Sequence, residues 1–84
     1  MDKRERFAVN LRQARDTAGI SQEELAERIE VHRTEISLLE RGGREPRLGT
    51  LVKLAVALGT SPEALCGGIA WDPQARDYRI DTPR

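Results

Sequence analysis

Between Ile20 and Gly42 the chain reads ISQEELAERIEVHRTEISLLERG, and no other segment constrains the fold as tightly. Ser21 stands where a helix N-cap belongs, and Glu24 follows three residues later. That is the spacing of a capping box, in which side chains satisfy two of the amides a helix start leaves unpaired. Leu25, Ala26 and Ile29 fall on the inward side of the helix so begun. Glu30-Val31-His32 is long enough only for a turn. A second helix is predicted from about Arg33 to Arg41, with Ile36 and Leu39 inward and Gly42-Gly43 as its stop. His32, Arg33, Thr34, Ser37 and Leu38 then lie on its exposed face, towards the N-terminal end.

The flanking sequence supplies what such a helix pair packs against. A first helix is expected from about Lys3 to Thr17, with Phe7, Leu11, Ala14 and Ala18 on one face and Gly19 as the stop. After a polar loop from Arg44 to Arg47, a fourth helix covers about Leu48 to Leu58. Leu51, Leu54, Ala55 and Leu58 give it a core stripe that Val52 and Val56 are expected to widen. Ser61-Pro62 is a cap followed by proline at the first helical position, so a short fifth helix spans about Pro62 to Cys66. Gly67-Gly68 breaks the pattern. Beyond it, Ile69-Ala70-Trp71 and Tyr78-Arg79-Ile80 read as two short strands around Asp72-Pro73, or else as a frayed tail. The expectation is an all-α, five-helix unit over residues 1–68 and a tail or short hairpin over 69–84.

Composition narrows the function. The longest apolar run, Leu54 to Leu58, is far below the roughly 20 residues a bilayer crossing needs. Charged residues open the N-terminus and no apolar stretch follows, so no signal peptide is expected. With 1 cysteine in 84 residues, Cys66, no internal disulfide can form, which fits a reducing cytoplasm. A single His beside that Cys excludes a multi-ligand zinc site of the usual kind, and no glycine-rich phosphate loop is present. Glu23, Glu24 and Glu27 are explained by a solvated helix face. The expectation is therefore no enzyme, no cofactor and no metal.

Two helices joined by a tight turn, the second exposing hydrogen-bonding side chains, are the sequence form of a helix-turn-helix, whose second helix enters the DNA major groove. Formal net charge is zero, against the basic balance usual in DNA-binding domains. Distribution offsets this. Glu23, Glu24, Glu27 and Glu30 crowd one helix and its turn, while Arg12, Arg33, Arg41, Arg44 and Arg47 lie elsewhere, and a dipolar chain still presents a positive face.

Over residues 7 to 66 the chain resembles the phage-repressor type (Cro/repressor, Xre-like) of helix-turn-helix domain. The resemblance rests on Leu11 and Arg15, on Ser21-Gln22-Glu23-Glu24-Leu25-Ala26, on Ile36-Ser37 and Glu40-Arg41-Gly42, and on Pro46, Leu51, Leu54, Ala55, Leu58-Gly59 and Leu65. It implies a five-helical cytoplasmic regulator of bacterial or phage type that binds double-stranded operator DNA as a homodimer, acting most simply as a repressor at a pseudo-palindromic site. It also implies that Gln22 braces a DNA phosphate and that Arg15 and Glu40 form a salt bridge tying the first helix to the third. The family often has glycine where this chain has Glu30; a left-handed Glu30 costs roughly 1 kcal/mol.

Arg33, Thr34, Ser37 and Leu38 are the candidate base contacts. An arginine fork bonds guanine O6 and N7 together, and threonine or leucine meets a thymine methyl. Arg12, Arg41, Arg44 and Arg47 join Gln22 as candidate phosphate contacts. His32 is either another or a plain N-cap. Glu35 reads as a carboxylate reaching back to the cap amide, or as an acceptor for a cytosine amino group. Leu65, Trp71 and Tyr78 are candidate dimer contacts. Two other readings stay open: an antitoxin whose tail binds a toxin, and a protein-interaction module without DNA binding.

Overall fold

Asp2 starts the first helix. Its carboxylate accepts the Glu5 amide at 2.9 Å, and the Glu5 carboxylate accepts the Asp2 amide at 3.1 Å, so the reciprocal capping box sits here. The box expected at Ser21 is only half made. Ser21 Oγ accepts the Glu24 amide at 3.0 Å, while the Glu24 carboxylate turns to Arg28, one helical turn on, at 3.7 Å. The computed structural model describes residues 1–83. In it α1 runs Lys3–Ala18, α2 Gln22–Arg28, α3 Arg33–Glu40, α4 Leu48–Ala57 and α5 Pro62–Leu65, followed by strands β1 (Ile69–Asp72) and β2 (Asp77–Ile80). No helix among the described residues is long and apolar enough to cross a membrane.

One core joins all five helices. Phe7 and Leu11 of α1, Leu25 of α2, Ile36 and Leu39 of α3, Leu54 of α4 and Leu65 of α5 are buried together. Each large side chain withdrawn from water contributes about 1.5–3 kcal/mol. Two expected stripes are corrected. On α1 the buried partner of Phe7 and Leu11 is Ala8, and Ala18 is exposed. On α4, Val52 and Val56 do not widen the core: they face solvent with Leu48, at 47%, 77% and 78% exposure. The helix is apolar on two faces, and the core has room for one.

The turn between α2 and α3 is the expected three residues plus Ile29. Glu30 adopts a left-handed backbone, φ 59°, so this chain carries the strain that glycine would avoid. Lys53 of α4 donates to the Ile29 carbonyl at 3.3 Å, pinning the end of α2.

The tail forms an antiparallel hairpin in the register Ile69↔Ile80 and Trp71↔Tyr78. Ile69 packs against the helical core. Asn10 donates to the carbonyls of Leu65 and Gly67 at 2.9 and 2.8 Å, and Arg6 Nε donates to Gly67 at 2.9 Å. Gly68 is required here: its φ is +82°, and a Cβ would lie 2.5 Å from Arg6 Nε. Lys3 stands over the Tyr78 ring at 4.5 Å. The chain leading into the hairpin is thus fastened to α1 by polar bonds and the half-buried Ile69, while Trp71 and Tyr78 remain exposed.

Candidate nucleic-acid interface

The helix-turn-helix is held rigid by one polar knot. Glu40 closes α3 with a side chain 4% exposed. It accepts Arg15 Nε at 2.6 Å and Arg15 Nη2 at 2.9 Å, the two-pronged geometry of a strong pair. The third arginine nitrogen donates to the Ile20 carbonyl at 2.9 Å. Gln22, the first residue of α2, donates to the same Glu40 at 3.3 Å. Hydrogen bonding to Glu40 raises the Arg15 guanidinium above its ordinary range. Three helices meet at one carboxylate, and the outer face of α3 is therefore fixed against α1 and α2.

That face opens with His32, whose Nδ1 accepts the Thr34 amide at 3.1 Å. With Nδ1 accepting, the neutral ring carries its proton on Nε2, and the ring is exposed. Arg33 and Thr34 are exposed, and Arg33 has no ion-pair partner among the described residues. Ser37 and Leu38, one turn on, are half-buried. The structure thus gathers Arg33, Thr34, Ser37 and Leu38 on α3, two fully open and two recessed.

Glu35 is the main surprise. It does not reach back to the cap amide. Its carboxylate takes Arg44 from the loop after α3, at 2.5 Å. The loop therefore folds back along α3, and the acid on the exposed helix is neutralised by one of the arginines expected to meet phosphate. Arg41 caps the end of α3 and donates Nε to the Ser37 carbonyl at 3.3 Å. Arg12 and Arg41, far apart in sequence, line one hollow of about 310 Å³ together with Glu40. Arg47 is exposed at the N-cap of α4 and makes no cap bond there. Gln22 and Arg44 both have protein partners here, so a phosphate would have to compete with Glu40 and Glu35 for them.

The three residues expected at a dimer contact separate. Leu65 is 1% exposed and belongs to the core, so its side chain offers no surface to a second copy; a short helix capped by Ser61 turns it inward. Trp71 and Tyr78 are 55% and 45% exposed, with ring centroids 5.2 Å apart, edge to face. Two features escaped sequence reading. The Glu35–Arg44 pair spans nine residues and a glycine stop, which no helical spacing relates. The Asp2–Glu5 box did carry a signal, an aspartate three residues before a glutamate at a helix start.

A family model described as Helix-turn-helix matches residues 11–65. The chain is 48% identical to Control protein C.SmaI of Serratia marcescens over 61 residues, 73% of each chain. It is 42% identical to Control protein C.BamHI of Bacillus amyloliquefaciens over 60 residues, 70% of this chain and 74% of that protein. Among solved structures it is similar to the restriction-modification controller protein C.AhdI from Aeromonas hydrophila, with a TM-score of 0.71 and 37% identity over 74% of this chain and 94% of that one. The hairpin lies outside the family match.

Proposed function

This chain belongs to the helix-turn-helix family and is a DNA-binding transcriptional regulator; we propose that it reads a pseudo-palindromic operator as a homodimer, with α3 of each copy in the major groove. The observation that carries this reading is the exposed Arg33-Thr34 start of α3, held in place by the buried Arg15–Glu40 pair. Arg33 is the base reader, Thr34 and Leu38 meet thymine methyls or base edges, and Ser37 is a secondary donor. Gln22, His32, Arg12, Arg41, Arg44 and Arg47 ring that face as phosphate contacts, which fix register and carry no sequence information. Residues 1–68 are the DNA-binding unit, which acts in the cytoplasm without cofactor or catalysis.

The homodimer reading is supported by an aliphatic ridge with no partner inside the chain. Leu48, Val52 and Val56 stand exposed at i, i+4 and i+8 on α4, and such a patch on a soluble protein marks an interface. Two half-sites about one helical turn apart follow from a two-fold dimer. The roles of the relatives extend the proposal to the genes served: control of a restriction–modification system, exerted by occupying the operator.

The test is selection from random DNA duplexes, with sequencing of the retained fraction and Arg33→Ala alongside. The proposal expects an enriched two-fold-symmetric motif that relaxes at one position in Arg33→Ala. No enrichment at low salt from a folded protein would refute it.

A further inference from the structure

Resting on the homodimer reading above, we propose that the outer edge of β2 pairs with β2 of a second copy, two-fold about Tyr78, so that two hairpins join into one four-stranded antiparallel sheet. A two-stranded hairpin is marginal by itself in water, and a bare strand edge is a template for pairing. Here the edge belongs to the strand that carries Tyr78, beside an aromatic pair left open to solvent.

The backbone sets the phase. Asp81 donates to the Gly68 carbonyl at 2.8 Å. Counting along the ladder, Ala70–Arg79 and Asp72–Asp77 exchange bonds inside the hairpin, so the N–H and C=O of Tyr78 and Ile80 point away from β1. The Tyr78 N–H has no strand to meet and is covered by the carboxylate of its own neighbour, Asp77, at 2.7 Å. With a second copy centred on Tyr78, each Tyr78 N–H donates to the other Tyr78 carbonyl. Asp77 is released and comes opposite Arg79 of the second copy, and the symmetry makes that ion pair twice.

In this register charge and backbone pairing agree. Centring on Asp77 or Arg79 instead sets like charges face to face across the axis. Centring the β1 edge on Trp71 places Pro73, which has no N–H, opposite Ile69. Within one hairpin, Asp72 and Asp77 are directly opposite, an unfavourable pair of like charges. Arg79 of the second copy relieves it. On the other face, the Trp71–Tyr78 contact continues across the axis into a row of four rings.

The experiment compares self-association of the full chain, of Asp77→Arg, and of Asp77→Arg combined with Arg79→Asp, by sedimentation equilibrium without DNA. The single change sets two arginine pairs face to face and is expected to weaken association at least about tenfold, while the double change restores it to within about threefold. In a Cys66→Ser background, Tyr78→Cys is expected to be joined by a short thiol-reactive cross-linker, because residues opposite in a bonded pair lie about 5.5 Å apart at Cα. Association that is equal in all three chains overturns the pairing, as does an unaltered chain that stays monomeric. The α3 face is untouched by these changes. Sequence-selective DNA binding with charge-insensitive association would refute the pairing alone, and charge-sensitive association without DNA binding would refute the operator reading alone.

Discussion

Replacing Arg15 by alanine tests the polar knot on which the placement of α3 depends. The change removes two bonds to Glu40 and one to the Ile20 carbonyl. It leaves a carboxylate that is 4% exposed with only the Gln22 amide, at 3.3 Å. Breaking one side of a buried pair costs about 3–5 kcal/mol, because the remaining charge is stranded. A domain of this size has about 4–13 kcal/mol of stability in all, at roughly 0.05–0.15 kcal/mol per residue. Arg15→Ala is therefore expected to lower the melting temperature by at least about 12 °C, at roughly 4–8 °C per kcal/mol. Combining it with Glu40→Leu removes the stranded charge, and the double variant is expected to recover most of the loss. Urea unfolding followed by circular dichroism measures all three. A loss below about 1 kcal/mol in Arg15→Ala, or a double variant no better than the sum of the singles, would refute the argument.

Glu30→Gly relieves the left-handed strain at φ 59°, offset in part by glycine's chain entropy, and is expected to raise stability by about 0.5–1 kcal/mol in a thermal melt. The hydrogen bond from the Glu5 amide holds the Asp2 carboxyl below its ordinary range. A depressed folded pKa gives stability that is present above the unfolded value and lost as pH falls through the folded one. The first turn of α1 is therefore expected to fray in acid below the usual aspartate range, read from the Glu5 amide by NMR, and Asp2→Ala is expected to abolish that response. Arg44→Ala is expected to flatten the slope of log affinity for operator DNA against log salt by about 0.9 if Arg44 leaves Glu35 for a phosphate. An unchanged slope would show that the arginine stays on Glu35.

How much of this was legible in the sequence follows from the range of each interaction. Spacing alone places Leu25, Ile36, Leu39 and Leu54 in the core, where they are buried, since helical period decides which side chains share a face. The two apolar-aromatic runs around Asp72-Pro73 fit a hairpin or a frayed tail, and the structure forms the hairpin. Val52 and Val56 were not legible in this way. An apolar residue beside a core stripe has the same local pattern whether it faces the core or an absent partner. Leu65 is the complementary case: its place in the core depends on how α5 docks on α1, which the short Pro62–Leu65 segment does not encode. At the interface, Arg33 and Thr34 are exposed as their positions on the helix required. The commitments of Gln22 to Glu40 and of Arg44 to Glu35 arise from tertiary contacts between residues 18 and 9 apart. Such contacts decide which arginines are free, and a net charge of zero conceals them.

The most direct test of the central claim is amide chemical-shift mapping on titration with the selected duplex. The largest shifts are expected at Gln22, from His32 to Leu38, and in the loop from Arg41 to Arg47, with the exposed residues of the hairpin little changed. Shifts confined to the hairpin, or spread evenly with no maximum on α3, would contradict it.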